Sequence, residues 1–255
     1  MRKHVFYIEG GDNVGKSTTI SKLKETGFID QLVYNRIGFN KYPTPNLTEQ
    51  INSIVKSIDE LDRAYDMDKS INYRKIKNQL IDETIGYMIS DMHESFNPDH
   101  HPVPFANRED TCYICDRGPI STYLYQYRGR DGLDTLDSMP IMNEKHLLEQ
   151  FISSYIPNSP NELNVIILNN NGPLSSIHID TTETISYKKA YDTDVKLQTR
   201  VNNSLNNIVA MIKNNQLDTH MNFFYVNIFD ENMIRKSASD VCREVIQIIN
   251  GTGGK

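Results

Sequence analysis

Apolar residues along this chain fall into two periods. Five short runs rich in Val, Ile, Tyr and Phe, at 4–8, 31–39, 111–115, 164–168 and 223–229, are apolar almost without alternation. That is the pattern of strands covered on both faces, as in a parallel sheet. Between them the segments 17–25, 47–61, 71–93, 143–155, 197–213 and 231–249 carry apolar residues at helical spacing. Strand and helix in repetition predict an α/β sandwich. The stretches 98–110, 129–139 and 169–186 are polar and turn-rich. They read as loops or lids on one domain spanning 1–255, not as linkers between two. No internal repeat is visible, and 251–255 reads as a frayed end.

Composition narrows the picture. With 38% hydrophobic and 24% charged residues among 255, the chain can form a core. It has no apolar run long enough for a membrane span, and residues 1–4 lead straight into a strand, not into a signal-peptide core, so a cytoplasmic protein is expected. A net charge of −6 argues against a surface that tracks nucleic acid, so an anionic ligand has to be held in a local pocket. Three cysteines make no disulfide framework. Cys112 and Cys115 form a C-x-x-C inside a strand run, where residues three apart point to opposite faces, so packing outweighs zinc. His93, His100 and His101 sit near a proline-rich stretch that reads as a surface loop. The frequent asparagines, as at 169–171, are read as coding bias without chemical meaning.

The strongest chemical signal is Gly10-Gly11-Asp12-Asn13-Val14-Gly15-Lys16-Ser17, which matches G-x-x-x-x-G-K-[ST] and lies between the first strand run and the first helical segment. Independent placement at this composition gives about one chance match per 200 such sequences, before the strand-and-helix context is counted. Glycines let backbone N–H groups approach a polyphosphate, Lys16 adds charge and Ser17 offers a hydroxyl to Mg²⁺. Asn13, Val14 and Thr18 complete the expected polyphosphate contacts with Gly10 and Gly15.

The run 111–115 ends in Asp116-Arg117-Gly118-Pro119, and Pro119 suits the first turn of a helix running to about 127. Asp116 is therefore expected at a carboxyl end of the sheet, facing the phosphate loop, where it can hold Mg²⁺ through water while Arg117 bridges phosphates. Ser121, Thr122, Tyr125 and Gln126 recur three and four apart, so they share one helical face able to read a base and its sugar, or one half-buried polar face.

Together these segments resemble the thymidylate kinase family. The stretch 8–19 looks like that family's phosphate loop, with Asp12 at its acidic position, and Asp116, Arg117, Ser121, Thr122, Tyr125 and Gln126 match its Asp-Arg, Ser and Tyr-Gln pattern. The resemblance implies a three-layer α/β/α P-loop fold with a five-stranded parallel sheet and a mobile lid at about 169–195, besides extra loops at about 97–110 and 129–140. It implies ATP with Mg²⁺, held by Lys16, Ser17 and Asp116, and a deoxynucleoside monophosphate such as dTMP. Asp12 would approach the acceptor's sugar hydroxyl and Arg117 its phosphate, with Thr122 and Gln126 near the base and Tyr125 under the deoxyribose.

Some positions depart from the family. Gly118 stands where an aromatic is usual, and the segment 34–47 offers only Arg36 or Lys41 for the acceptor phosphate. Met88 and Met92 fall near the places of the base-reading aromatic and arginine. The lid stretch 169–186 holds no Lys or Arg, so the transition-state cation is expected from Lys188, Lys189 or Arg200. A deoxynucleoside kinase, a kinase acting within DNA and a nucleotide-binding protein without turnover remain rival readings. A homodimer is compatible with the sequence, which does not specify assembly.

Overall fold

The first apolar run forms an inner strand of the sheet. Val5, Phe6, Tyr7 and Ile8 are at most 1% exposed, as a run without alternation requires of a strand covered on both sides. The computed structural model describes residues 4–27, 45–94, 112–128, 140–156, 162–172 and 187–252, with side chains except at 45–48, 91–94, 112–113, 187–197 and 252. In chain order its elements are β1 (His4–Gly10), α1 (Lys16–Glu25), α2 (Pro45–Met67), α3 (Tyr73–Glu94), β2 (Cys112–Asp116), α4 (Pro119–Thr122), α5 (Ile141–Tyr155), β3 (Glu162–Asn169), α6 (Tyr187–Lys213), β4 (Asn222–Asn227) and α7 (Ala238–Thr252).

The four described strands are all parallel, in the order β2-β1-β3-β4. The fifth expected run, 31–39, lies outside the described residues. Alternate side chains of β1 feed two cores. Val5 and Tyr7 pack with residues of α3, α5 and α6, while Phe6 and Ile8 pack with Ile20 and Leu23 of α1 and with Val241 and Val245 of α7. Helices therefore cover both faces, which makes the three layers that the pattern predicts. Helix α2 packs on α3 through Ile51, Met88 and Tyr87.

Parallel register brings the functional segments to one edge. Ile8 pairs with Asp116, Gly10 with Leu168, and Asn169 with Asn227. The loop after Gly10, the turn after Asp116, the chain after Asn169 and the hairpin after Asn227 thus leave the same carboxyl edge, where open α/β sheets bind ligands.

Three expected boundaries move. Helix α6 starts at Tyr187, not at 197. The sequence of 187–196 is mostly polar, which leaves no apolar period to read even where the chain winds. Helix α7 starts at Ala238, not at 231. There Asp230 Oδ1 accepts from the amides of Asn232 and Ile234 at 2.9 and 2.8 Å, and Met233 takes φ 59°. Such local side-chain bonds compete with helix formation. Finally, the helix beginning at Pro119 passes into a π turn over Tyr123–Tyr127, where Arg128 N–H donates to Tyr123 O at 2.9 Å.

Candidate active site

The phosphate loop begins where β1 has no room for a side chain. Gly10 has φ 144°, and a Cβ there would stand 2.6 Å from Leu168 O of β3, so only glycine fits. Val14 is 4% exposed and anchors the loop in the α1–α7 core, leaving the backbone to face outward. Asn13 sits at φ 60°, a left-handed position that asparagine tolerates. Ser17 and Thr18 are exposed at the start of α1.

Lys16 is 6% exposed and turns back into its own loop, donating to Gly10 O at 3.0 Å and Gly11 O at 2.5 Å. Burial, reinforced by the Arg117 charge, brings its ammonium down to about 8 against the pull of Asp12, Glu9 and Asp116.

Asp12 at the tip of the loop ties together segments distant in sequence. Its Oδ1 accepts from Arg117 Nη2 at 2.7 Å and its Oδ2 from Gln198 Nε2 of α6 at 2.6 Å. Burial acts to raise the Asp12 pKa, but Arg117, Gln198 and Lys16 outweigh it and hold the carboxyl below the ordinary aspartate value. Four residues after Gln198, Asn202 lies on the same side of α6. A Cβ at Gly11 would come within 3.1 Å of its Oδ1.

Arg117 holds φ 69°, a conformation that costs a non-glycine residue energy and recurs at functional sites. Its guanidinium carbon lies 5.7 Å from the Tyr125 ring centroid. Burial and the neighbouring Asp12 carboxylate push the Tyr125 phenol well up. Tyr125 is thus brought beside Asp12 and Arg117, and Gln126 is half-buried next to it.

Ser121 and Thr122 are placed otherwise than a shared face predicts. Ser121 Oγ donates to Glu9 Oε2 at 2.5 Å, and the Thr122 side chain is wholly buried. The π turn changes the winding just after them, so spacings of three and four no longer mark one face.

Glu9 is the residue that sequence reasoning missed here. It is fully buried at the end of β1, and Oε1 accepts from Ile120 N–H at 2.9 Å and Ser121 N–H at 3.2 Å. Burial raises its pKa even though these bonds and the Lys16 and Arg117 charges favour the anion. A carboxylate closing an otherwise apolar strand was the available signal, since it needs a partner on whatever packs above it.

Asp116, at the end of β2, is 2% exposed, and its Oδ1 has no hydrogen-bond partner among the described residues. This buried carboxylate acts on the Lys16 charge, and an oxygen without a partner is the type of group that can hold a divalent cation or its water. Of the proposed cations, Arg36 and the side chains of Lys188 and Lys189 lie outside the described residues. Arg200 is half-buried on α6, two positions from both Gln198 and Asn202 and so not on their face.

No protein-family model and no curated protein sequence match this chain. Among solved structures, thymidylate kinase from Ehrlichia chaffeensis is similar at 16% identity and TM-score 0.46, covering 98% of this chain and 100% of that one. Thymidylate kinase from Candida albicans is similar at 16% identity and TM-score 0.48, covering 98% and 92%. A deoxyadenosine kinase from M. mycoides is similar at 13% identity and TM-score 0.43, covering 97% and 99%. At such identities the chemistry of this chain has to be read from its own residues.

Proposed function

We propose that this chain transfers the γ-phosphoryl group of ATP to dTMP or a related deoxynucleoside monophosphate, giving ADP and the diphosphate. The observation that carries the reading is the Asp12–Arg117 ion pair. It joins the tip of a lysine-bearing loop to the end of β2, which supports reading the two as donor-binding and acceptor-binding elements at one edge of the sheet. Phosphoryl transfer needs positioning and charge neutralisation more than covalent chemistry. Lys16 would exchange its two loop carbonyls for donor phosphate oxygens. Ser17 and Asp116 would hold Mg²⁺, which neutralises the charge on the terminal phosphates. Arg117 would turn from Asp12 to the acceptor phosphate, freeing the Asp12 carboxylate for the sugar hydroxyl, with Tyr125 against the deoxyribose.

A second reading has one observation in its favour. Arg117 is already neutralised by Asp12 at 2.7 Å, so the site also suits an acceptor with no 5′-phosphate. A panel of dTMP, thymidine, their deoxycytidine and deoxyadenosine counterparts and UMP, assayed for ADP release, separates the two. Faster turnover on dTMP than on thymidine supports the proposal. The reverse order moves the assignment to a deoxynucleoside kinase, and no turnover on any acceptor leaves a nucleotide-binding protein.

A further inference from the structure

One cation touches the phosphate loop from a direction that the sequence does not announce. After β4 the chain folds back on itself as a short hairpin: Phe229 pairs antiparallel with Arg235, and Lys236 N–H donates to Ile228 O at 2.9 Å. Asp230 staples the turn through the amides of Asn232 and Ile234. Asn171, on the chain leaving β3, accepts from Phe229 N–H at 3.0 Å and donates to Phe229 O at 3.3 Å. At its base, the Lys236–Glu244 ion pair at 2.6 Å fixes the hairpin to α7. From this braced position Arg235 Nη2 donates to Asn13 O at 3.0 Å, across 222 residues of chain.

The location answers a charge deficit. The stretch 169–186 has no Lys or Arg, and Lys16 is the one basic residue within the loop 10–17. Lys16 lies inside that loop and Arg117 is paired with Asp12. Arg235 is exposed, sits at the loop tip and uses one of five N–H donors on Asn13. A planar fork held at one corner can offer its other arm to a phosphate oxygen, which a lysine cannot do with the same geometry.

We propose that Arg235 is a positioning residue for the donor nucleotide: it holds the tip of the phosphate loop through Asn13 and brings its charge to the polyphosphate. The inference rests on the kinase reading above and adds to it the source of the donor-side cation.

Its test is ATP binding by titration calorimetry together with steady-state kinetics on wild type, Arg235→Ala and Arg235→Lys. The Ala variant is expected to weaken ATP binding and raise the KM for ATP about tenfold or more, with the acceptor KM within about twofold. The Lys variant should recover part of the loss. Because the side chain is exposed, the thermal midpoint without nucleotide should stay at the wild-type value. Unchanged ATP binding in the Ala variant overturns the inference while leaving the kinase reading standing. So does an equal loss for donor and acceptor accompanied by a lower thermal midpoint. A wild-type protein that neither binds ATP nor transfers phosphate overturns both.

Discussion

Lys16 carries the sharpest residue-level expectation. Its ammonium stands on two loop carbonyls, and burial with the Arg117 charge brings it down to about 8. A polyphosphate would restore the charged form, so binding ATP at pH 8 should take up about half a proton per site. Calorimetry at that pH in two buffers of different ionisation enthalpy measures this uptake. It should disappear in Lys16→Arg, whose guanidinium does not titrate in that range. The linked stability follows the same sign. A lysine depressed in the folded state destabilises the fold at pH values below its folded pKa, and the penalty is relieved as the pH climbs from about 8 towards 10.5. Lys16→Ala should lower kcat by about 10²-fold or more, roughly 3 kcal/mol of transition-state stabilisation, with the fold intact. Near-normal turnover in that variant would remove the phosphate-loop assignment.

The same scale shows what the sequence left hidden. The loop itself was legible because eight consecutive residues carry its chemistry. Its supports were not. Gln198 reaches Asp12 across 186 positions and Arg235 reaches Asn13 across 222, and no local period encodes such meetings. The asparagines read as coding bias do structural work: Asn169 Nδ2 donates to Asn227 Oδ1 at 2.9 Å, and Asn171 pairs with both backbone groups of Phe229.

At the scale of elements, unalternating apolar runs located four of the strands, because burial on both faces leaves that mark on the residues themselves. Boundaries set by side-chain capture of the backbone were less visible. Ser237 Oγ accepts from Asp240 N–H at 3.2 Å, and the two together define the start of α7. The turn between β2 and α4 has a steric reason for its glycine. A Cβ on Gly118 would lie 2.3 Å from Tyr7 Cδ1, backed by the rest of a ring only 1% exposed. The tyrosine of β1 fills the space that a side chain at 118 would need. Gly118→Ala should therefore destabilise the protein by about 1–3 kcal/mol. Combined with Tyr7→Val it should cost less than the sum of the single changes, because each relieves the other. Urea unfolding midpoints of the three variants check this, and strictly additive losses would mean that the contact does not govern the turn.

For the whole molecule, topology concentrates charge against the overall balance. A chain of net charge −6 gathers Lys16, Arg117 and Arg235 at the carboxyl edge of its sheet, around Asp12. Among the described residues, no helix is long and apolar enough to cross a membrane. The central claim, that this edge passes a phosphoryl group between two nucleotides, is tested most directly by ³¹P NMR of the protein with ATP, Mg²⁺ and dTMP. The account predicts that the γ-phosphate signal of ATP falls as the β-phosphate signal of the deoxynucleoside diphosphate rises at the same rate, and that both changes slow by about 10²-fold or more with Lys16→Ala. A γ-phosphate that persists, or one that appears as inorganic phosphate with dTMP unaltered, would contradict it.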